Sequence, residues 1–153
     1  MKVTLAAAWG FCYGVRRAVE LAGQAEKGTH TLGPIIHNPQ VVGRLAAHGV
    51  STVDSLDDVD KGAVVLIRSH GVGPDVYEQA DQKELKVIDA TCPHVKKAQQ
   101  DAKNIVEKGE KLIIVGEKSH PEVISISQWG ANHAIIIDRE EEAEKIPFCD
   151  SMG

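Results

Sequence analysis

Two cysteines lie at the same kind of position, between an apolar run and a helical pattern. Cys12 follows the run 3–7, and Cys92 follows the run 87–89. A helix N-terminus carries partial positive charge and unpaired N–H groups, which favour a thiolate over a thiol. Each cysteine is therefore a candidate nucleophile, redox group or metal ligand.

Three histidines share a second pattern, in which a strand-like run leads to a histidine and a proline opens a helix within four residues. They are His37, His70 and His120. Ligands of α/β sheets bind at the carboxyl ends of strands, and helix N-termini attract anions. The pattern predicts that the three imidazoles share one cleft and form an anion-binding rim, with Cys12 and Cys92 near its floor.

Two polar residues beside these histidines admit more than one role. Glu122 stands in the first turn of a predicted helix, where the helix dipole alone favours an acid, yet the same group could act as a general acid. Arg68 precedes the Ser-His-Gly sequence and suits a structural ion pair as readily as a bound anion. The residues alone leave these alternatives open.

Strand-like and helix-like segments alternate along the chain, which indicates βαβ units, parallel sheets and an α/β fold. Strands are predicted at Val3–Ala7, Thr29–Leu32, Val50–Val53, Val64–Arg68, Val87–Asp89, Leu112–Val115 and Ala134–Ile137. Helices are predicted at Val15–Lys27, Pro39–Ala47, Pro74–Gln82, Pro93–Lys108, Pro121–Trp129 and Glu140–Lys145.

The same segments suggest two domains. Residues 1–92 have enough strands for a complete first α/β domain, which carries the cysteine and most of the histidine motifs. Residues 93–153 form a second α/β domain that lacks an expected further strand. We therefore expect the chain to be a fragment of a longer protein.

Composition excludes several classes of function. A net charge of −5 and an aromatic content of 4% argue against nucleic-acid binding. The apolar runs are too short to span a bilayer, and the N-terminal run is predicted to be a strand rather than a signal peptide. Three cysteines without a C-x-x-C pair favour free thiols in a reducing cytoplasm over a disulfide framework.

Five motifs, in order, resemble those of the LytB-type family, the iron–sulfur 4-hydroxy-3-methylbut-2-enyl diphosphate reductases of the methylerythritol phosphate route to isoprenoids. They are Gly-Phe-Cys-x-Gly-Val-x-Arg-Ala, Gly-Pro-Ile-Ile-His-Asn-Pro-Gln-Val, Arg-Ser-His-Gly-Val, Asp-Ala-Thr-Cys-Pro-x-Val and Gly-x-x-x-His-Pro-Glu-Val. The resemblance covers nearly the whole chain, from Lys2 to Asp138.

The resemblance implies a chemistry for each motif. It implies a [4Fe–4S] cluster held by three cysteines, of which Cys12 and Cys92 match two, within a fold of three α/β domains. It implies that the three histidines hold the substrate diphosphate or hydroxyl and that Glu122 relays a proton. Ferredoxin or flavodoxin would supply electrons, and isopentenyl and dimethylallyl diphosphates would be the products.

The chain departs from the family pattern toward its end. Cys149 lies on no matching motif, and the family's Ser-x-Asn diphosphate-binding segment is absent. We therefore expect that the chain alone does not hold a stable [4Fe–4S] cluster. The alternatives are a non-catalytic diphosphate- or anion-binding module, and a zinc or redox sensor using Cys12 and Cys92.

Overall fold

The computed structural model describes residues 1–144 and 146, over which helices and strands alternate. The helices are α1 (Tyr13–Gln24), α2 (Pro39–Ala47), α3 (Pro74–Gln82), α4 (Pro93–Glu107), α5 (Pro121–Trp129) and α6 (Glu140–Ala143). The strands are β1 (His30–Leu32), β2 (Ser51–Val53), β3 (Val64–Ile67), β4 (Lys86–Asp89), β5 (Ile113–Val115) and β6 (Ile135–Ile137). A 3₁₀ turn at Leu56–Asp58, which the pattern did not predict, precedes β3.

Four consecutive helices, α2 to α5, begin at a proline, as the sequence predicts. Proline suits this position because its fixed backbone angle is helical and the first turn needs no N–H donor. The prolines therefore fix where each loop from a strand ends, and the histidines and Cys92 lie in or next to those loops.

The strands form two parallel sheets, so the predicted α/β class is confirmed. One sheet has the order β2-β1-β3-β4, and the other pairs β5 with β6. Strand β3 is central, and its residues Val65, Leu66 and Ile67 are fully buried, as expected of a continuous apolar run in a parallel sheet. Helices α1 and α2 pack on one side of this sheet, and α3 with the 3₁₀ turn packs on the other.

The two sheets lie on either side of Cys92 in the sequence. A buried hydrogen bond joins α4, which follows the first sheet, to α5, which connects the two strands of the second. Gln99 of α4 donates to the hydroxyl of Ser125 in α5 over 2.6 Å, and its amide nitrogen lies 3.5 Å from the carbonyl of Val72. This contact fixes α5 against the loop that carries His70. The division into domains at residue 92 stays a prediction.

The predicted strand Val3–Ala7 is wrong for the described structure. This segment is neither strand nor helix, and Val3 and Leu5 are 71% and 79% exposed. A strand needs a neighbour to accept its backbone hydrogen bonds, and among the described residues no strand pairs with it.

The other predicted bounds differ by a few residues at most. Helix α1 begins two residues earlier than predicted, at Tyr13, and ends at Gln24. The predicted end of the last helix, Lys145, lies outside the described residues, as does Cys149. No helix within the described ranges is both long and apolar enough to cross a membrane.

Candidate functional site

The three histidines of the repeated pattern converge. The ring centroids of His37 and His70 are 4.8 Å apart, those of His70 and His120 are 5.6 Å apart, and those of His37 and His120 are 6.4 Å apart. One ring nitrogen from each lies within 4.8 Å of the others. The predicted convergence is confirmed, and we call these residues the histidine cluster.

Each histidine is held by the loop between a strand and the next helix. In the first loop, the Asn38 side chain caps α2 by accepting hydrogen bonds from the N–H groups of Gln40 and Val41, both over 3.1 Å. In the second, Gly71 has a φ of +73°, and its N–H donates to the carbonyl of Arg68 over 3.0 Å. This tight turn, 68–71, presents His70.

His120 is also the cap of α5. Its Nδ1 accepts a hydrogen bond from the N–H of Glu122 over 3.2 Å. A neutral imidazole whose Nδ1 accepts carries its proton on Nε2, so the free nitrogen of His120 is a donor. Three imidazoles this close could hold a metal ion, but a donor N–H binds an anion oxygen rather than a metal. The cap therefore favours an anion at the histidine cluster.

His70 is neutral at physiological pH. Burial, followed by the nearby charges of His37, Arg68 and His120, lowers the pKa of His70 to about 4. Its Nδ1 is buried and has no hydrogen-bond partner among the described residues. The Nδ1 of His70 therefore lacks a hydrogen bond, and this costs free energy unless a ligand supplies the partner.

The two cysteines line one cavity of about 180 Å³ next to the cluster. Cys12 is exposed and is the N-cap of α1, while Cys92 is half-buried and is the N-cap of α4. His70 and Glu122 line the same cavity. Both cysteines therefore lie beside His70 of the histidine cluster, while the role of each residue stays a prediction.

Helix α1 contacts the second cysteine through a residue without a side chain. A Cβ placed on Gly14 would lie only 2.5 Å from the Sγ of Cys92. Because Gly14 is the second residue of α1, the absence of its side chain lets the helix that Cys12 begins approach Cys92 directly.

Arg17, one turn further along α1, holds the backbone of the Cys92 segment. Its guanidinium donates to the carbonyls of Asp89 and Thr91 over 3.2 and 3.3 Å. The Asp89 carboxylate in turn accepts from the N–H of Thr91 and forms an ion pair with Lys96. Sequence reasoning missed the role of Arg17 and the contact of Gly14 with Cys92, although both residues stand in the Gly-Phe-Cys-x-Gly-Val-x-Arg-Ala motif.

This geometry fits an iron–sulfur cluster in part. Thiolates are the ligands that such clusters prefer, and two of them, each at a helix N-terminus, face one cavity. Cys12 and Cys92 would therefore serve as two of the ligands. Cys149, which lies on no matching motif, falls outside the described residues.

Comparisons with known proteins give matches to one family over nearly the whole chain. The family profile described as LytB protein matches residues 3–152. The 4-hydroxy-3-methylbut-2-enyl diphosphate reductase of Pelobacter propionicus is 44% identical over 156 aligned positions, which cover 100% of this chain and 55% of that protein. The enzyme of the same name from Alkaliphilus oremlandii is 43% identical, over 99% of this chain and 56% of that protein.

Two solved structures share the fold. The E-1-hydroxy-2-methyl-but-2-enyl-4-diphosphate reductase of Plasmodium falciparum superposes with a TM-score of 0.85 at 30% identity, over 92% of this chain and 45% of that chain. A structure of (E)-4-hydroxy-3-methyl-but-2-enyl diphosphate reductase, the terminal enzyme of the non-mevalonate pathway, gives a TM-score of 0.78 at 40% identity, over 89% of this chain and 50% of that chain.

The chain spans about half the length of the curated relatives it matches. Within that span, the match runs through the motifs that hold both cysteines, the three histidines and Glu122. The chain belongs to the LytB protein family.

Proposed function

We propose that this chain forms the part of a 4-hydroxy-3-methylbut-2-enyl diphosphate reductase that carries two cluster ligands, the diphosphate-binding histidines and the proton donor. The observation that carries the proposal is that the three histidines converge, and that His70 of this cluster lines one cavity together with both cysteines and Glu122. The names of relatives that are 43–44% identical over almost all of this chain supply the reaction and its substrate.

Cys12 and Cys92 would hold two irons of a [4Fe–4S] cluster, with a further ligand from another part of the protein. When bound, the [4Fe–4S] cluster would deliver electrons one at a time from ferredoxin or flavodoxin and offer an open iron to the substrate hydroxyl. Both thiols lie at helix N-termini, and cysteine thiolates are the ligands that iron–sulfur clusters prefer.

The histidine cluster would hold the diphosphate as a set of hydrogen-bond donors. His120 offers its Nε2–H because its Nδ1 already accepts from the backbone of Glu122. The proximity of the three rings would let the histidine cluster contact several oxygens of the one diphosphate group that substrate and products share.

Glu122 would provide the proton for the departing hydroxyl. The reaction replaces a C–O bond by a C–H bond, so two electrons and two protons enter and one water leaves. A hydroxyl leaves more readily as water, which requires an acid beside it. Glu122 lines the cavity of the cysteines, while its own N–H is bonded to His120, so one residue connects the two halves of the site. We further propose that this chemistry takes place in the cytoplasm.

A chimera tests the proposal. Residues 1–138 would be joined to the remaining portion of the Pelobacter propionicus reductase, reconstituted anaerobically with iron and sulfide, and assayed with a reduced dye as the electron source. We expect turnover of 4-hydroxy-3-methylbut-2-enyl diphosphate and about four irons per chain. Cys12→Ser and Cys92→Ser should lose both, and zinc in place of iron in the purified protein would instead favour the sensor alternative.

The acid is tested in the same chimera. Glu122→Gln keeps the shape of the side chain and the backbone cap but cannot deliver a proton, so kcat should fall about 10²–10⁴-fold with iron content unchanged. Glu20→Gln, on helix α1 away from the cavity lining, is the matched control and should leave kcat unaltered. Pyrophosphate binding without any turnover in the unmodified chimera would favour a non-catalytic binding module.

A further inference from the structure

A second cavity, of about 320 Å³, lies beside the tight turn 68–71. Ser69 and His70 of this turn line the cavity of the cysteines, whereas Arg68 and Gly71 line the second one. The remaining lining comes from the end of β1 and the loop after it, from Asp54 after β2, from the loop before α3 with the first turn of that helix, and from the first two turns of α5. The turn therefore separates two cavities, and the proposed reaction uses the one with the cysteines.

Arg68 lies in this second cavity without an ion-pair partner among the described residues. Its Nε is buried and has no hydrogen-bond acceptor, and no carboxylate of the described residues forms an ion pair with it. A guanidinium stays protonated in proteins even where burial lowers its pKa, as it does here. A buried N–H donor without an acceptor costs free energy, so an acceptor from outside the chain would relieve that cost at Nε.

The loop after β1 leaves room for the guanidinium of Arg68 because it has a glycine, Gly33, beside it. Gly33 has a φ of +70°, and a Cβ placed on it would lie 2.7 Å from Nη1 of Arg68. Any side chain at position 33 would push the guanidinium away. The loop after β1 thus leaves space specifically where the charge of Arg68 is held.

Further donors line the same cavity. The hydroxyl of Ser125 accepts from Gln99, which leaves its own proton free to be donated. The amide of Gln128 lies on the lining as well. Asp54 also lines the cavity and opposes an anion, but it is exposed, and water and salt screen its charge.

We propose that the Arg68 cavity is a second oxyanion site, separate from the histidine cluster, which binds a phosphate group. The planar guanidinium suits two parallel hydrogen bonds to a tetrahedral oxyanion, and Ser125 and Gln128 can bind its remaining oxygens. Both inorganic phosphate and the phosphate of a small organic molecule satisfy this chemistry. The proposal does not depend on the reductase chemistry, because it concerns the opposite side of the turn 68–71.

The test follows the ¹H–¹⁵N signals of the arginine Nε–H groups while phosphate is added at constant ionic strength. The Arg68 signal, identified by its absence in Arg68→Lys, should shift and saturate. The signals of Arg16 and Arg44, which lie on exposed helix positions, serve as internal controls and should move little. The titration is repeated with glycerol phosphate, and tighter binding of that ligand would identify the phosphorylated organic molecule as the source.

Variants separate the site from the histidine cluster. In His37→Gln with His120→Gln, the Arg68 signal should shift as in the parent chain. In Arg68→Gln, the shift of the Gln128 side-chain amide, which lines the same cavity, should need at least tenfold more phosphate to saturate than in the parent chain. Gly33→Ala keeps the charge but displaces it and should weaken binding as well. An Arg68 signal that does not move, or that moves only when the histidine cluster is intact, would overturn the proposal. Circular dichroism of each variant confirms that it is folded.

Discussion

Gly14 and Cys92 are in direct contact, because the first turn of α1 approaches the thiol so closely that a Cβ at position 14 would lie 2.5 Å from Sγ. We therefore predict that Gly14→Ala destabilises the chain, although alanine is the better helix former. Overpacking of this kind costs about 1–3 kcal/mol. Chemical denaturation gives the change in the free energy of unfolding.

Gly23 is the matched control, because it lies in the same helix and a Cβ added to it would meet no other atom within 4 Å. Gly23→Ala should stabilise the chain by up to about 1 kcal/mol through helix propensity alone. The alkylation rate of Cys92 gives a second measurement, which should change in Gly14→Ala and not in Gly23→Ala. Equal effects of the two substitutions would contradict a specific contact between Gly14 and Cys92.

Arg17 should stabilise the segment before Cys92 through its two hydrogen bonds to backbone carbonyls. Arg17→Gln is expected to lower the free energy of unfolding by about 1–3 kcal/mol, since hydrogen bonds from charged donors to half-buried acceptors are involved. Arg16→Gln changes the same charge at the exposed neighbouring position and should alter stability by less than about 0.5 kcal/mol. Similar losses in both variants would show that net charge, not the two hydrogen bonds, is responsible.

Much of the fold could be predicted from the sequence because local signals agree with each other. Pro39, Pro74 and Pro121 mark helix starts, and the buried run of β3 reads as a parallel strand. The convergence of the histidine cluster follows from the rule that loops at the carboxyl ends of parallel strands meet at one edge. These predictions required no knowledge of contacts between distant residues.

The predictions failed where distant contacts decide. The run 3–7 has the composition of a strand, but a strand forms only against a partner, and composition does not reveal whether one is present. The contacts of Gly14 and Arg17 with the Cys92 segment join residues more than seventy positions apart. Arg68 was equally ambiguous, because its pairing depends on which carboxylates the fold brings near.

His120 combines two roles that substitution can separate. His120→Ala removes both the imidazole and the cap on the N–H of Glu122, and should cost about 1 kcal/mol of stability together with affinity for pyrophosphate. His120→Asn replaces one capping side chain by another, so stability should return while pyrophosphate affinity stays low. Calorimetry and denaturation measure the two effects. If Asn restored both, the imidazole would have no role in binding beyond capping the helix.

The pH dependence of the histidine cluster should centre on His70. Burial, followed by electrostatic interactions with His37, Arg68 and His120, lowers the pKa of His70 from 6.5 to about 4. Between pH 6.5 and pH 4, His70 is therefore protonated in the unfolded chain but not in the folded chain. His70 should therefore cause no loss of stability above about pH 6.5, and the free energy of unfolding should fall as the pH drops from there toward 4. His70→Gln should remove this part of the pH dependence, whereas His133→Gln, at an exposed position, should leave it in place.

The same titration tests whether an anion binds at the cluster. The His70 Hε1 resonance of the free chain should titrate with a midpoint of about 4. Saturating pyrophosphate should raise that midpoint, because negative charge beside the imidazole stabilises its protonated form. Glu122 carries a carboxylate on the cavity that His70 lines, and the upward shift should persist in Glu122→Gln. A free-chain midpoint near 6.5 would show that His70 is not desolvated. A midpoint that pyrophosphate leaves unchanged would show that the anion does not lie near His70.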